Sequence, residues 1–160
     1  MSILIRDYKA GDSDQVVALV KALQAHERAL YDRMRDPADM GDWYLHHLQV
    51  SCAENAGRIL VAERDAEILG YACVLTDLSS AEERDEVPYR YACVLDIVVS
   101  ETSRGQGIGQ RLLAACEDAA RGAGRRWLRI THLADNRAAG LVYERFGFRN
   151  LLIEMEKPLD

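Results

Sequence analysis

The segment that most constrains this chain is a short glycine-rich turn, Arg104-Gly105-Gln106-Gly107-Ile108-Gly109, lying between two regular elements. Before it, Tyr89 to Val99 is a long apolar run that predicts a central strand buried on both faces. After it, Ile108, Leu112, Cys116 and Ala119 recur at helical spacing, predicting an amphipathic helix that ends at Gly122 or Gly124. Strand, glycine turn and helix in that order present backbone amides at a helix N-terminus. Glycines let a backbone pass close to a ligand, and successive N–H groups backed by the helix dipole attract an anion. The expected ligand portion is a phosphate or pyrophosphate.

Two familiar phosphate motifs do not fit. A P-loop needs a lysine after its last glycine, and none follows here. The dinucleotide fingerprint GxGxxG accommodates Gly105 and Gly107, but the third glycine falls at Gly109 and the next position is Gln110.

The rest of the chain alternates strand and helix patterns. Ile3 to Tyr8 alternates like a strand, and Asp12 with Gln15 three positions on predicts a capped helix start. Val16, Leu19, Val20 and Leu23 form that helix's apolar stripe. A second helix is expected from near Asp42 to Gly57, burying Leu45, Leu48 and Cys52. Arg58–Glu63 and Ile68–Thr76 read as a hairpin around Arg64-Asp65-Ala66-Glu67, followed by an acidic loop over 77–88. Tyr71-Ala72-Cys73-Val74-Leu75 recurs as Tyr91-Ala92-Cys93-Val94-Leu95, read as two strands in similar surroundings. Beyond the glycine helix, a strand over Arg126–His132 and a helix over Asn136–Phe146 stopped by Gly147 are expected. Phe148–Lys157 reads as a closing strand. No linker interrupts the pattern, so residues 1–160 read as one domain.

Charge narrows the partners. The 20 Lys+Arg and 26 Asp+Glu give a net −6, which argues against a protein that coats nucleic acid. The total hides an asymmetry: residues 1–100 carry 18 acids and 10 bases (net −8), and 101–160 carry 8 acids and 10 bases (net +2). No stretch reaches the ~18 apolar residues of a membrane span. Met1-Ser2-Ile3-Leu4-Ile5-Arg6 meets a charge too soon for a secretory signal, so a cytoplasmic location is expected. Cys52, Cys73, Cys93 and Cys116 form no CxxC unit and read as structural thiols. The adjacent His46 and His47 face different directions on a helix, and no metal site is expected.

Arg104-x-x-Gly107-x-Gly109 after Ile97-Val98-Val99 resembles the acetyl-CoA pyrophosphate loop of the GNAT family of N-acetyltransferases. Downstream, Asn136, Ala139, Tyr143, Gly147 and Phe148 match that family's N-x-x-A-x-x-x-Y-x-x-x-G-F pattern. The resemblance implies an α+β (αβα) fold, with a mostly antiparallel twisted sheet of about six to seven strands flanked by about four helices. It implies acetyl transfer from acetyl-CoA directly to a primary amine, on a small molecule or a peptide, within a ternary complex. The backbone of Ile97, Val98 and Val99 would pair with the pantetheine arm, and a Val98 N–H would stabilise the developing oxyanion. Amides from Arg104, Gly105, Gln106, Gly107, Ile108, Gly109 and Gln110 would hold the pyrophosphate. Asn136 would contact the cofactor near its thiol end, and Tyr143 would offer its hydroxyl to the departing sulfur. Dimers are common in the family, so a homodimer is among the assemblies it implies. A CoA-binding sensor or interaction module that has lost turnover is the alternative.

The chemistry also needs a base, because an alkylamine of pKa ~10.4 is neutral in only about one part in ~10³ at pH 7. Asp96 is the acid inside the apolar run, and a buried carboxylate is used or paired. It reads either as the base or as a structural carboxylate paired with an arginine such as Arg129. His132, at the end of its strand, reads as a satisfied histidine. The resemblance implies that the first two helices and the loop before the central strand shape the acceptor pocket; here they carry Glu27, Asp32, Asp36, Asp39, Asp42, Glu82, Glu83, Asp85 and Glu86, with Tyr31, Trp43 and Tyr44 as candidate aromatic walls. That composition suits a cationic amine.

Overall fold

Strand β1 (Leu4–Asp7) precedes helices α1 (Ser13–Leu30) and α2 (Asp42–Glu54) in the computed structural model, which describes residues 2–81 and 87–159. Strands β2 (Arg58–Arg64), β3 (Glu67–Ser79) and β4 (Arg90–Val99) follow. Helix α3 (Ile108–Gly122), strand β5 (Leu128–Ile130) and helix α4 (Arg137–Phe146) complete the regular elements. The strands form one sheet in chain order, antiparallel throughout except for the parallel β4–β5 pair.

The expected α+β class holds, with five strands among the described residues rather than six or seven. The difference lies at the C-terminus. Phe148–Lys157, expected as a closing strand, has no ladder partner among the described residues, and Leu151, Leu152, Ile153 and Met155 are exposed. A strand period is not enough without a neighbour: β5 is only three residues long. The segment instead reaches the α1–α2 connection, where Glu156 pairs with Arg33.

Two apolar layers sandwich the sheet. On one face Val16, Leu19 and Val20 of α1 and Leu45 and Leu48 of α2 pack on Val61, Tyr71 and Cys73. On the other, Ile108, Leu112, Leu113 and Cys116 of α3 pack on Leu60, Ala72, Val74 and Val94. Covered on both faces, β3 is buried from Ile68 to Thr76. That position was expected of β4, where only Ala92, Val94 and Val98 are buried.

The first helix starts differently from its sequence signature. Asp12 does not cap α1; its carboxylate accepts two hydrogen bonds from Arg6 (2.7 and 2.9 Å) and one from the Lys9 N–H (2.8 Å). Gln15 spans to the next hairpin, accepting from the Ile68 N–H (2.8 Å) and donating to the Ala66 carbonyl (3.2 Å). That hairpin turns through Asp65 and Ala66, both left-handed at φ +53° and +65°, the geometry of a two-residue turn matched to strand twist.

The β3–β4 ladder pairs Cys73 with Asp96 but Val74 with Val94, so Leu95 is an extra residue, a β-bulge. Its effect on facing is large. Val98 lies in the α1–α2 layer and Val94 beneath α3, although an unbroken strand would place both on one face. The bulge therefore sends Asp96 to the α1–α2 face, beside Tyr71. β4 and β5 pair only from Ala92–Leu128 to Val94–Ile130. Past Val94 the two strands part, and a cleft opens between them.

Candidate active site

The cleft has a volume of about 710 Å³ and runs from the start of α3 to the α1–α2 face. Its floor is Leu95–Val99, paired with β3 on one side and without a strand on the other among the described residues. The Ser100 N–H donates to the Leu69 carbonyl (2.8 Å), and mutual bonding in an antiparallel ladder recurs at every second residue. Val98 accordingly spends its N–H on Tyr71, and the amides of Ile97 and Val99 are the ones turned away from β3. The oxyanion role expected of the Val98 N–H does not suit this parity.

At one end the chain leaves β4 through Arg104 and enters α3 at Ile108. Gly105 and Gly107 lie at φ +77° and +76°, where a side chain would cost about 1–2 kcal/mol. The first helical closure is Arg111 N–H to the Gly107 carbonyl (3.1 Å), so the amides of Ile108, Gly109 and Gln110 have no acceptor within the helix. Arg104 and Gly109 line the cleft, and the Gln106 side chain accepts from Arg64 (3.1 Å). One wall is α4 with the segment before it. Asn136 caps α4 through its Oδ1, which accepts from the Ala139 N–H (3.3 Å), and it also lines the cleft with Tyr143. Gly147, at φ +114°, ends α4 as its sequence predicts.

The opposite end holds a carboxylate among phenols. Asp96 is half-buried, and its Oδ2 accepts from the Tyr71 hydroxyl at 2.6 Å. Burial raises its pKa, while hydrogen bonds from Tyr71, Tyr44 and the Ile97 N–H pull the other way. Its partners are thus neutral donors. Arg129 lies over the Tyr91 ring at 4.0 Å and donates to the Tyr89 hydroxyl. Glu27 of α1 lines the same end of the cleft; burial first, then the Asp96 charge, raises its pKa. Tyr143 is pushed up to about 12 by burial, with Asp96 and Glu27 adding to it.

Of the acids expected near the acceptor, Glu27 reaches the cleft. Asp36 caps a short turn at Ala38, Asp32 pairs with Arg33, and Glu82, Glu83, Asp85 and Glu86 lie outside the described residues. Tyr44 lines the cleft, whereas Trp43 donates to the Asp39 carbonyl and Tyr31 lies under Arg33. Tyr71 was not singled out by sequence. The available signal was a tyrosine amid an apolar strand, whose hydroxyl needs a partner when buried. The repeated pentapeptide meets two environments: Tyr71 is fully buried against Asp96, and Tyr91 stacks under Arg129. The cysteines are free thiols; Cys52 and Cys73 lie 3.5 Å apart at sulfur. Burial pushes Cys116 up to about 12 and raises Cys93, which disfavours a thiolate nucleophile at either.

A sheet that parts beside an anion-ready helix start, over a half-buried carboxylate, is the arrangement of an acetyltransferase-type fold. Residues 55–150 match the family model described as "Acetyltransferase (GNAT) domain", and the chain belongs to this family. It is 36% identical over 74 residues to the uncharacterized N-acetyltransferase YycN of Bacillus subtilis (strain 168). That match covers 46% of this chain and about half (47%) of the length of YycN. Among solved structures, a mutant of the BH1408 protein of Bacillus halodurans superposes with a TM-score of 0.81 at 21% identity, covering 98% of this chain and 99% of that one. AAC(6')-Iy, in complex with a bisubstrate analog, CoA-S-monomethyl-acetylneamine, superposes with a TM-score of 0.70 at 17% identity, covering 99% of each chain.

The Tyr71 hydroxyl lowers the pKa of Asp96, so Tyr71→Phe is expected to raise it. Carboxyl carbon NMR should show the Asp96 titration moving to higher pH in this variant; an unmoved titration would mean that the Tyr71 hydroxyl does not hold it down.

Proposed function

We propose that this chain transfers an acetyl group from acetyl-CoA to a primary amine on a cationic small molecule or peptide, directly, with both substrates in one cleft. One observation carries the reading: a single cleft, floored by the open edge of β4, reaches from Arg104 and Gly109 at the start of α3 to the carboxylate of Asp96. An extended arm carrying amides complements an unpaired strand edge, and a pyrophosphate complements a helix start that follows left-handed glycines. Ile97 and Val99, on either side of the β3-bonded Val98, would hold the arm, the backbone from Arg104 to Gln110 the pyrophosphate, and Asn136 the thiol end. When bound, the thioester supplies an activated acetyl group.

The remaining chemistry belongs to this chain. Asp96 takes the proton from the incoming ammonium, and burial brings its basicity closer to that of the amine. Tyr143 keeps its proton at neutral pH and is the donor available at the departing sulfur. Glu27, beside Asp96, adds a second negative charge that favours a cationic acceptor.

An amine panel followed by free-thiol release from acetyl-CoA tests this reading. Diamines and polyamines should turn over fastest; tight CoA binding with no turnover on any amine would identify a CoA-binding module instead. Tyr143→Phe should lower kcat by about a hundredfold with CoA affinity kept, in the range of a lost general acid. Glu27→Gln should lower kcat/KM for dications by about tenfold, equivalent to about 1.4 kcal/mol, and leave a neutral arylamine unaffected. Gly107→Glu should abolish CoA binding by calorimetry, because it combines a strained backbone with a negative charge at the pyrophosphate site. Normal affinity in that variant would mean the loop does not hold the cofactor.

A further inference from the structure

We propose that His132 is a positioning residue for Tyr143, and that Gly140 is the seat that makes this possible. The inference rests on the reading of Tyr143 as the proton donor, and it begins with a glycine in an unfavourable place. Gly140 lies inside the ten-residue helix α4, where glycine costs about 1 kcal/mol relative to alanine. Its φ is not in the left-handed region, so the backbone does not require it. Space does. A Cβ at this position would lie 2.9 Å from His132 Cε1, 3.1 Å from Nε2 and 3.8 Å from Nδ1, so its nearest neighbours beyond its own helix backbone are atoms of the His132 ring.

The ring's orientation follows from its other edge. His132 Nδ1 is 2.8 Å from the Leu133 carbonyl oxygen, which can only accept, so Nδ1 carries the proton. With Nδ1 held there, the Cε1–Nε2 edge of the ring faces Gly140, whose own N–H donates to the Asn136 carbonyl (3.1 Å). Asn136, Gly140 and Tyr143 fall at i, i+4 and i+7, on one face of α4. The imidazole therefore rests on the face that carries Tyr143. Its centroid is 5.8 Å from that of the Tyr143 ring, with planes at 61°, an edge contact. Phe148 makes a second such contact with Tyr143 at 6.1 Å and 67°. His132 and Tyr143 both line the cleft. The direction of the Tyr143 hydroxyl is thus set by two ring contacts, and one of them exists because position 140 has no side chain.

The test uses Gly140→Ala, His132→Ala and the double variant. Gly140→Ala should keep or raise the Tm, because alanine favours the helix, yet lower kcat about tenfold by displacing the imidazole, as small misplacements at a reacting centre do. KM for acetyl-CoA should stay within about twofold, since the nearest atoms to the added methyl belong to His132 and not to the glycine turn. His132→Ala should show the same split, and the double variant should be no slower than His132→Ala alone. Losses that multiply in the double variant, or kcat unchanged in both single variants, would overturn the proposal. Spectra of the unliganded protein give a readout independent of turnover. Imidazole nitrogen signals should show the Nδ1–H tautomer in the wild type, and Tyr143 ring proton shifts should move in both single variants. A Tyr143 ring that does not move sinks the inference even in an active enzyme. A wild type that acetylates no amine would instead sink the proposed function, and the ring shifts would still decide the coupling of Gly140, His132 and Tyr143.

Discussion

Past Val94, the backbone of β4 has a neighbouring strand on one side only among the described residues, and the cleft is a consequence of that fact. A sheet interior normally leaves no backbone group unpaired. Here the β4–β5 ladder lasts three residues, and the strand then continues to Val99 with one edge open. The bulge at Leu95 coincides with the parting. Together they expose backbone donors and acceptors along the strand and turn Asp96 onto the α1–α2 face, where two tyrosines and Glu27 are waiting. The open edge leads at its far end into the glycine turn and the unpaired amides of α3. Removing the parting would close the binding edge; removing the bulge would move the carboxylate to the layer beneath α3.

The ends of the cleft differ in charge, and the difference is chemical rather than a matter of totals. One end offers amides, the positive end of α3 and Arg104. The other offers Asp96 and Glu27, and the hydrogen bonds to Asp96 come from phenols and a backbone amide instead of a guanidinium. This choice of donor matters. An arginine partner would stabilise the carboxylate but depress its pKa and cancel its attraction for a cation. Tyrosine hydroxyls ease the desolvation of Asp96 without adding positive charge, so burial still raises its pKa. The net −8 of residues 1–100 locates the acids in the correct part of the chain, but most of those near the first two helices meet solvent or arginines.

Local signals made much of this molecule legible from its residues. The glycine turn, the Asn136 and Gly147 boundaries of α4, the apolar stripe of α3 and the isolated Asp96 each depend on chemistry within a few positions. What escaped depended on partners distant in the chain. The bulge leaves no mark in an apolar run, because every residue from Cys93 to Val99 except Asp96 suits either face. Asp12 has the form of a helix cap, but Arg6 claims its carboxylate. Phe148–Lys157 has the period of a strand, but pairing requires an edge that is long enough. Tyr71 and Tyr91 sit in identical pentapeptides, so nothing local could distinguish the one that meets Asp96.

Burial and the charges of Asp96 and Glu27 raise the pKa of Tyr143, which bears on its proposed role as a proton donor. Its pKa is pushed up to about 12, whereas a thiol in water titrates near ~8.5. Compared with a thiolate in water, a complete proton transfer from Tyr143 would run uphill. A sulfur beside Tyr143, however, is exposed to the same desolvation and the same carboxylates, Asp96 and Glu27, and both effects raise a thiol as they raise a phenol. The environment that weakens Tyr143 as an acid therefore strengthens the base it faces, and the mismatch narrows. What remains for the proposed step is geometric: the hydroxyl would have to point at the sulfur as charge develops there, and the ring contacts from His132 and Phe148 set its direction.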